Sequence, residues 1–192
     1  MANSTYLNTI KDDPVNRHPQ DFYPTPRRAT EALINAEKFK GKIWEPACGD
    51  GAISTVLEQY KFKVVSSELY DRGYGETGVD FLKQTKPRAP NIITNPPFKL
   101  AEEFVWHALS LTTSKVAMLC RVAWLEGQKR RHMFLGTPLA RVHVFSSRLG
   151  MARNGDPRYA EAAAKGGMVA FAWYVWDHDY SVGNSPTLHW LP

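Results

Sequence analysis

Residues 42–59 read KIWEPACGDGAISTVLEQ, and the pattern within them indicates the class of fold. The largely apolar run 42–45 predicts a short strand, and the glycine-containing turn at 46–51 ends it. Residues 52–59 then carry apolar side chains at helical spacing. A strand that passes through a glycine turn directly into a helix is typical of a parallel α/β sheet.

The alternation of strands and helices continues on both sides of this stretch. Apolar periodicity predicts helices at 27–38 and 101–111 and strands at 62–66, 91–94, 115–119, 139–145 and 168–176, with a weaker third strand near 78–82. The last two strands lack a crossover helix between them, so we expect an antiparallel hairpin. The prediction is an α/β fold with a mostly parallel seven-stranded sheet, helices on both faces and a C-terminal antiparallel hairpin. We expect residues 1–22 to form a leader and residues 23–192 a single domain.

Composition restricts the classes of function. The 192 residues carry a formal net charge of +5, which favours a polyanionic partner such as nucleic acid. No apolar run approaches the roughly 18 residues of a membrane span, and the polar N-terminal residues lack the apolar centre of a signal peptide. Cys48 and Cys120 are far apart, which indicates reduced thiols, and the six histidines show no metal-ligand spacing. We therefore expect a cytoplasmic protein with no membrane partner and no metal.

The segment Asn95-Pro96-Pro97-Phe98 follows the apolar run 91–94 directly. A proline ring fixes its own φ and excludes the helical region for the residue before it, so this segment is stiff and extended. It offers the Asn95 side-chain oxygen and the Pro96 carbonyl as adjacent acceptors, with the Phe98 ring beside them. Two acceptors and a ring suit a flat substrate that carries an exocyclic NH₂ group, such as adenine. A proline-stopped strand with a buried phenylalanine is the alternative interpretation.

The glycine turn after the first strand has the features of a ligand site. Gly49 and Gly51 let the main chain approach a ligand closely, and the next helix begins with free N–H groups. Glu45 ends the strand, where its carboxylate is placed to accept from an ammonium group. Glu68 lies 17 residues after Gly51, about where Rossmann-like folds carry a ribose-binding carboxylate. The glycine pattern is neither GxGxxG nor a P-loop, which disfavours a dinucleotide or ATP.

Asp80 and Phe81 complete the predicted cofactor site, because they offer an acceptor and a ring at the end of the weak third strand. Such a pair suits the amino group and the face of an adenine. The alternatives are an Asp80 that caps a helix, a solvated Glu68 and an ordinary strand–helix turn.

Together, EPACGDG at 45–51 and NPPF at 95–98 resemble motifs of class I S-adenosylmethionine-dependent methyltransferases that modify exocyclic amines, above all the DNA N6-adenine methyltransferases. The segment Tyr23-Pro24-Thr25-Pro26 is similar to the N-terminal cofactor motif of that family. The resemblance implies a Rossmann-like class I methyltransferase fold and S-adenosylmethionine as cofactor. It implies that Asn95, Pro96, Pro97 and Phe98 are catalytic and that Tyr23, Thr25, Pro26, Glu45, Ala47, Gly49, Gly51, Glu68, Asp80 and Phe81 contact the cofactor. The last predicted strand resembles that of small phage members, and the chain leaves no length for a separate target-recognition domain.

The implied reaction is methyl transfer to the exocyclic N6 of adenine in DNA, with the target base stacked on Phe98. Because this nitrogen is hidden in a duplex, the nucleotide must be flipped out or single-stranded. Candidate substrate contacts are Trp124, Gln128, Lys129, Arg130, Arg131, Arg148 and Arg153. The alternatives are a core position for Trp124 and a solvated helix face for the Lys-Arg-Arg run.

Three other functions remain open. Adenine in RNA and a protein glutamine amide are substrates of the same chemistry. Glutamine methyltransferases usually have Tyr after NPP, so Phe98 favours a nucleobase. A non-catalytic nucleic-acid-binding module is the third possibility, which the intact motifs disfavour.

Overall fold

Seven strands form one sheet within residues 22–151 and 169–192, which are the residues that the computed structural model describes. The strands are β1 (Ile43–Glu45), β2 (Val64–Ser66), β3 (Asn91–Thr94), β4 (Lys115–Arg121), β5 (Leu139–Phe145), β6 (Phe171–Asp177) and β7 (Thr187–Leu191). Their order across the sheet is β2-β1-β3-β4-β6-β5-β7. The predicted fold class, a mostly parallel sheet with helices, is confirmed.

Helices cover both faces of this sheet. They are α1 (Arg27–Ala36), α2 (Ala52–Gln59), α3 (Ala101–Leu111) and α4 (Gln128–Gly136). Strand side chains alternate between the two faces, so neighbours in β3 serve different cores. Ile93 packs with Leu33 and Leu57 of α1 and α2, whereas Ile92 belongs to the cluster that contains Phe104 of α3 and Met133 of α4.

The direction of the strands determines where the loops meet. Strands β2, β1, β3 and β4 are parallel neighbours, with Trp44 opposite Ile92 and Ile93 opposite Ala117. Their carboxyl ends therefore lie along one edge of the sheet, where ligands bind in open α/β folds. Strand β6 runs antiparallel between β4 and β5, so the predicted pairing of the two closing strands is confirmed.

The strand predicted near residues 78–82 is wrong. The structure has a 3₁₀ turn at Phe81–Lys83 there, and the Asp80 carboxylate caps it by accepting from the Leu82 N–H at 3.1 Å. Gly75 and Gly78 both have positive φ values, 72° and 75°, which interrupt an extended run. Capping by Asp80, one of the alternatives from the sequence, is what the structure shows.

The sheet contains seven strands because β7 takes the place of the missing one, at the opposite edge. Strand β7 pairs in parallel with β5, and Leu191 is its one buried residue. Helix α4 is also absent from the sequence prediction. Its sequence is mostly polar, and Met133 is its buried residue, so no apolar stripe marks it.

Residues 1–21 of the predicted leader lie outside the described residues. Within the described ranges, no helix combines the length and apolar character that crossing a membrane requires.

Candidate active site

The carboxyl ends of the first three strands bring the sequence motifs together in one cavity. Glu45 ends β1, Glu68 follows β2 and Asn95 follows β3. We call this space the glycine-turn cavity; the predicted site residues that line it are Tyr23, Thr25, Glu45, Ala47, Gly49, Glu68, Asn95 and Pro97. Residues more than 70 positions apart in the chain therefore share one site.

The two glycines of the turn lie under aromatic rings. Gly49 and Gly51 have φ values of 57° and 86°, a region that other residues rarely adopt. A Cβ at Gly49 would lie 2.4 Å from the Phe22 ring, and one at Gly51 would lie 2.6 Å from the Tyr74 ring. The rings cover the backbone that the glycines leave open, and the cavity beside them has a volume of about 50 Å³. The Phe22 ring therefore occupies the space next to the Gly49 backbone.

Glu45 is a buried acid at the base of this cavity. It is 1% exposed, and the Ser54 hydroxyl donates a hydrogen bond to its carboxylate. Burial raises the pKa of Glu45 well above its ordinary value, even though hydrogen bonds from Ser54 act in the opposite direction. A cation that enters the cavity would favour the ionised form of this group.

Glu68 joins the glycine turn to the loop after β2. Its carboxylate accepts from the Gly49 N–H at 2.8 Å, the Leu69 N–H at 2.9 Å and the Tyr70 N–H at 3.3 Å. A carboxylate has about four acceptor positions, so these bonds leave capacity for a hydroxyl donor.

Four predicted cofactor residues lie outside the lining of the cavity. Pro26 is the N-cap residue of α1, and Asp80 caps the 3₁₀ turn. The Phe81 ring is 3% exposed and packs edge-on against Trp44 at 5.2 Å, within the core. The structure therefore places this ring as a core side chain, not as an open face for an adenine. Gly51 likewise contributes as the N-cap of α2, beside the cavity.

The Asn95 amide has a single orientation. Its Nδ2 donates to the Tyr23 carbonyl and to the Thr25 hydroxyl, both at 3.1 Å. A carbonyl only accepts, so the NH₂ group must face Tyr23, and Oδ1 points the other way. Oδ1 is buried and has no hydrogen-bond partner among the described residues. Buried acceptors are rarely left unpaired, so this oxygen is a candidate acceptor for a donor of a ligand.

Phe98 lines two further cavities. Its ring lies 5.7 Å from that of Tyr23 and 6.1 Å from that of Phe171. One is the Phe171 cavity, which has a volume of about 200 Å³ and is lined by Tyr23, Phe98, Arg121, Leu149, Met151, Val169 and Phe171. The other is the Trp124 cavity, which has a volume of about 240 Å³ and is lined by Phe98, Lys99, Arg121, Trp124, Arg130 and small side chains. Tyr23 lines both the Phe171 cavity and the glycine-turn cavity, so those two adjoin.

The predicted substrate residues divide into two groups. Trp124 and Arg130 line the Trp124 cavity, where Arg130 Nε also donates to the carbonyls of Trp124 and Glu126. The other described members, Gln128, Lys129, Arg131 and Arg148, are exposed side chains. Arg153 lies outside the described residues.

The sequence interpretation missed two features of the site. The first is that Thr25 and the Tyr23 carbonyl orient Asn95; the Tyr-Pro-Thr-Pro motif signalled a cofactor contact only. The second is Arg121, whose guanidinium lies 4.9 Å from the centroid of the Phe98 ring. Its position at the end of a buried strand was the available signal. Among the described residues, no group of three or more His, Cys, Asp or Glu side chains could hold a metal ion.

No protein-family model and no curated protein matches this chain. Solved structures do match. The type I restriction enzyme EcoKI M protein is 14% identical, with a TM-score of 0.61 over 86% of this chain and 47% of its own. Magnesium protoporphyrin IX methyltransferase from Synechocystis PCC 6803 is 12% identical, with a TM-score of 0.53 over 80% of this chain and 79% of its own. A dimethyladenosine transferase from Plasmodium falciparum is 13% identical, with a TM-score of 0.52 over 78% of this chain and 60% of its own.

These likenesses show the fold, which is that of the class I methyltransferases. The chain spans about half the length of the modification subunits, 47% for EcoKI M and for a modification subunit from Vibrio vulnificus YJ016.

Proposed function

We propose that this protein transfers a methyl group from S-adenosylmethionine to the exocyclic N6 of adenine in DNA. The observation that carries the proposal is the unpaired Oδ1 of Asn95, a buried acceptor beside the cavity that holds Glu45 and Glu68. The same fold carries methyl transfer in the neighbours named as methyltransferases.

The chemistry follows from two fixed acceptors. Asn95 Oδ1 accepts one amine hydrogen, and the Pro96 carbonyl, which no hydrogen bond between described residues uses, accepts the second. Holding both hydrogens directs the nitrogen lone pair out of conjugation with the ring. The two oxygen dipoles also stabilise the positive charge that develops on the nitrogen as the new C–N bond forms. The C–S bond of the methyl donor would break as the C–N bond forms, with its electron pair left on the sulfur. The methylated nitrogen would then give its extra proton to water, so no base with a shifted pKa is required beside it.

The glycine-turn cavity fits the cofactor chemically. Glu45 and Glu68 supply carboxylates for an ammonium group and for ribose hydroxyls, and the two glycines allow close approach of the backbone. When bound, S-adenosylmethionine supplies an electrophilic methyl group on a sulfonium sulfur. Its adenosine requires more space than the cavity offers, so we expect the Phe22 ring to move away from Gly49 when the cofactor binds. A Synechocystis neighbour was solved with this cofactor bound.

We expect the affinity for S-adenosylmethionine to rise with pH, because of Glu45. Burial keeps the free carboxyl protonated to a higher pH than usual, and the incoming ammonium group requires the ionised form. Binding therefore releases a proton, and affinity rises by up to about tenfold per pH unit below the pKa of Glu45. Calorimetric titrations in buffers of different ionisation enthalpy measure that proton directly. Glu45→Gln should bind weakly and without this pH dependence. A wild-type affinity that does not change as the pH rises above 4.5, the ordinary glutamate value, would contradict the assignment.

The DNA surface is proposed from exposed cations beside the Phe98 cavities. Lys129 and Arg131 lie in the first turn of α4, where cations oppose the helix dipole and where a phosphate would be favoured. Arg148 is exposed in the loop after β5.

DNA affinity should fall steeply with salt, since each phosphate contact releases counterions. Lys129→Gln and Arg131→Gln should each reduce the slope of log affinity against log salt by about 1. Lys63→Gln is the matched control, because Lys63 is exposed at the opposite, amino-terminal end of the parallel strands. Fluorescence anisotropy at several salt concentrations measures the slopes. If the slopes of log affinity against log salt are equal for all three variants, α4 is not part of the DNA-binding surface.

One assay tests the function itself. The protein is incubated with labelled S-adenosylmethionine and with DNA, RNA or cell lysate, and the labelled product is digested to nucleosides. We expect N6-methyldeoxyadenosine. Label in ribonucleosides or in protein would redirect the proposal to another substrate, and no label in any fraction would refute it.

A further inference from the structure

The Trp124 cavity is lined in part by Phe98 and shares no lining residue with the glycine-turn cavity, and the reaction proposed above does not use it. Its volume is about 240 Å³. An apolar cavity of about 150 Å³ holds a benzene molecule, so this one has room for a nucleobase ring.

The walls of the cavity select an aromatic ring that carries negative charge. Phe98 and Trp124 contribute aromatic surface, and Lys99, Arg121 and Arg130 contribute cations. No carboxylate of the described residues lines it. Aromatic surface with surrounding cations is the combination on which single-stranded nucleic acids stack.

The Trp124 ring is held in place from behind. It packs edge-on against Phe134 at 5.5 Å and against Tyr174 at 5.2 Å, with interplanar angles of 78° and 88°. Arg130 fixes the adjacent backbone through the Trp124 carbonyl. A stacking surface that is already ordered loses little entropy when a base binds.

Arg121 lies beside both of the cavities that Phe98 lines. Its guanidinium lies 4.9 Å from the centroid of the Phe98 ring, and the side chain lines both the Phe171 cavity and the Trp124 cavity. A cation between two ring-sized cavities lies where the phosphate that links two nucleotides would pass.

We propose that the Trp124 cavity binds the nucleotide adjacent to the target adenine, with its base stacked on Trp124 and its linking phosphate paired with Arg121. This inference rests on the proposed function and extends it. The substrate segment is then a dinucleotide, unstacked around Phe98, and the Trp124 cavity contributes to sequence preference.

The test uses single-stranded oligonucleotides with one adenine and an abasic site on its 5′ side, on its 3′ side or several positions away. Loss of the base that enters the cavity should lower kcat/KM for methyl transfer by about 5- to 100-fold, the value of one base stack. Trp124→Leu should lower kcat/KM on the intact oligonucleotide by a similar factor. In this variant the abasic site should cause no further loss of kcat/KM. Trp124→Phe keeps a ring and should retain most of the rate.

Two further variants separate this role from a loss of folding. Arg121 is exposed, so Arg121→Gln should fold normally and still weaken oligonucleotide binding, whereas Lys63→Gln should not. If the wild type methylates intact and abasic oligonucleotides equally, the subsite is refuted and the proposed function stands. If it methylates none, the proposed function is refuted.

A binding measurement does not depend on turnover. 2-Aminopurine placed next to the adenine should be quenched by wild type and not by Trp124→Leu, and unchanged fluorescence would refute the subsite. Free 2-aminopurine nucleotide is the second ligand to be titrated. If it binds with the same affinity as the oligonucleotide, the cavity is a site for free nucleotides and the proposal is overturned.

Discussion

Asn95→Ala should lower the rate of methyl transfer by a factor on the order of 10² to 10³, the usual effect of removing one preorganised dipole from a transition state. The affinity for S-adenosylmethionine should change little, because Glu45 and Glu68 make the expected polar contacts. Single-turnover rates and calorimetric titration of the same variant separate the two quantities. A loss of affinity as large as the loss of rate would contradict the role of Asn95.

Thr25 provides a matched test of the same geometry. The Thr25 hydroxyl accepts from Asn95 Nδ2, so Thr25→Val removes a partner that orients the amide while keeping the shape of the side chain. We expect a lower kcat in Thr25→Val and near-normal kcat in Thr25→Ser, which keeps the hydroxyl. If Thr25 served only the cofactor, Thr25→Val would instead change KM for S-adenosylmethionine.

Glu37→Ala should lower the free energy of unfolding by about 1.5–3 kcal/mol, because it removes charge-assisted hydrogen bonds to Lys115 and Arg141. Both cations are partly buried, and Asp177 remains as their carboxylate partner. The Glu37 side chain is 3% exposed and forms ion pairs with Lys115 at 2.8 Å and with Arg141. His143 Nε2 lies 2.9 Å from the same carboxylate. Urea denaturation measures the change. The matched control is Glu31→Gln, which breaks an exposed pair with Arg27 and should cost less than about 1 kcal/mol.

The Glu37 cluster also predicts an acid limit to stability. Burial by itself raises the pKa of Glu37, but hydrogen bonds from His143, Arg141 and Lys115 outweigh it and lower the pKa from 4.5 to about 2. A depressed folded-state pKa stabilises the protein above the unfolded value. That contribution, about 3 kcal/mol, is lost as the pH falls from 4.5 through about 2. Wild type should therefore lose stability across this window more steeply than Glu37→Ala. Parallel curves for the two proteins would show that Glu37 is not the group that titrates.

Much of the fold is local information. Helices α2 and α3 and strands β3 and β5 have the predicted bounds, since their apolar spacing and their flanking glycine and proline residues act within a few positions of the chain. The two errors in the strand prediction, the false strand near residue 80 and the missed strand β7, arose where no such local signal exists. The run near residue 80 is turned by Asp80, and β7 exists because β5 offers it a free edge.

Local sequence is enough to specify the strand–glycine-turn–helix unit, the stiffness of Asn95-Pro96-Pro97-Phe98 and the residue types that ligand chemistry requires. Each depends on backbone preferences and on spacing along the chain. The direction of the Asn95 amide depends on tertiary contacts, because its partners lie 70 and 72 residues earlier. It also placed Phe81 in the core, Phe22 over Gly49 and Arg121 on Phe98. Such contacts form between elements distant in sequence, and no pattern within one element specifies them.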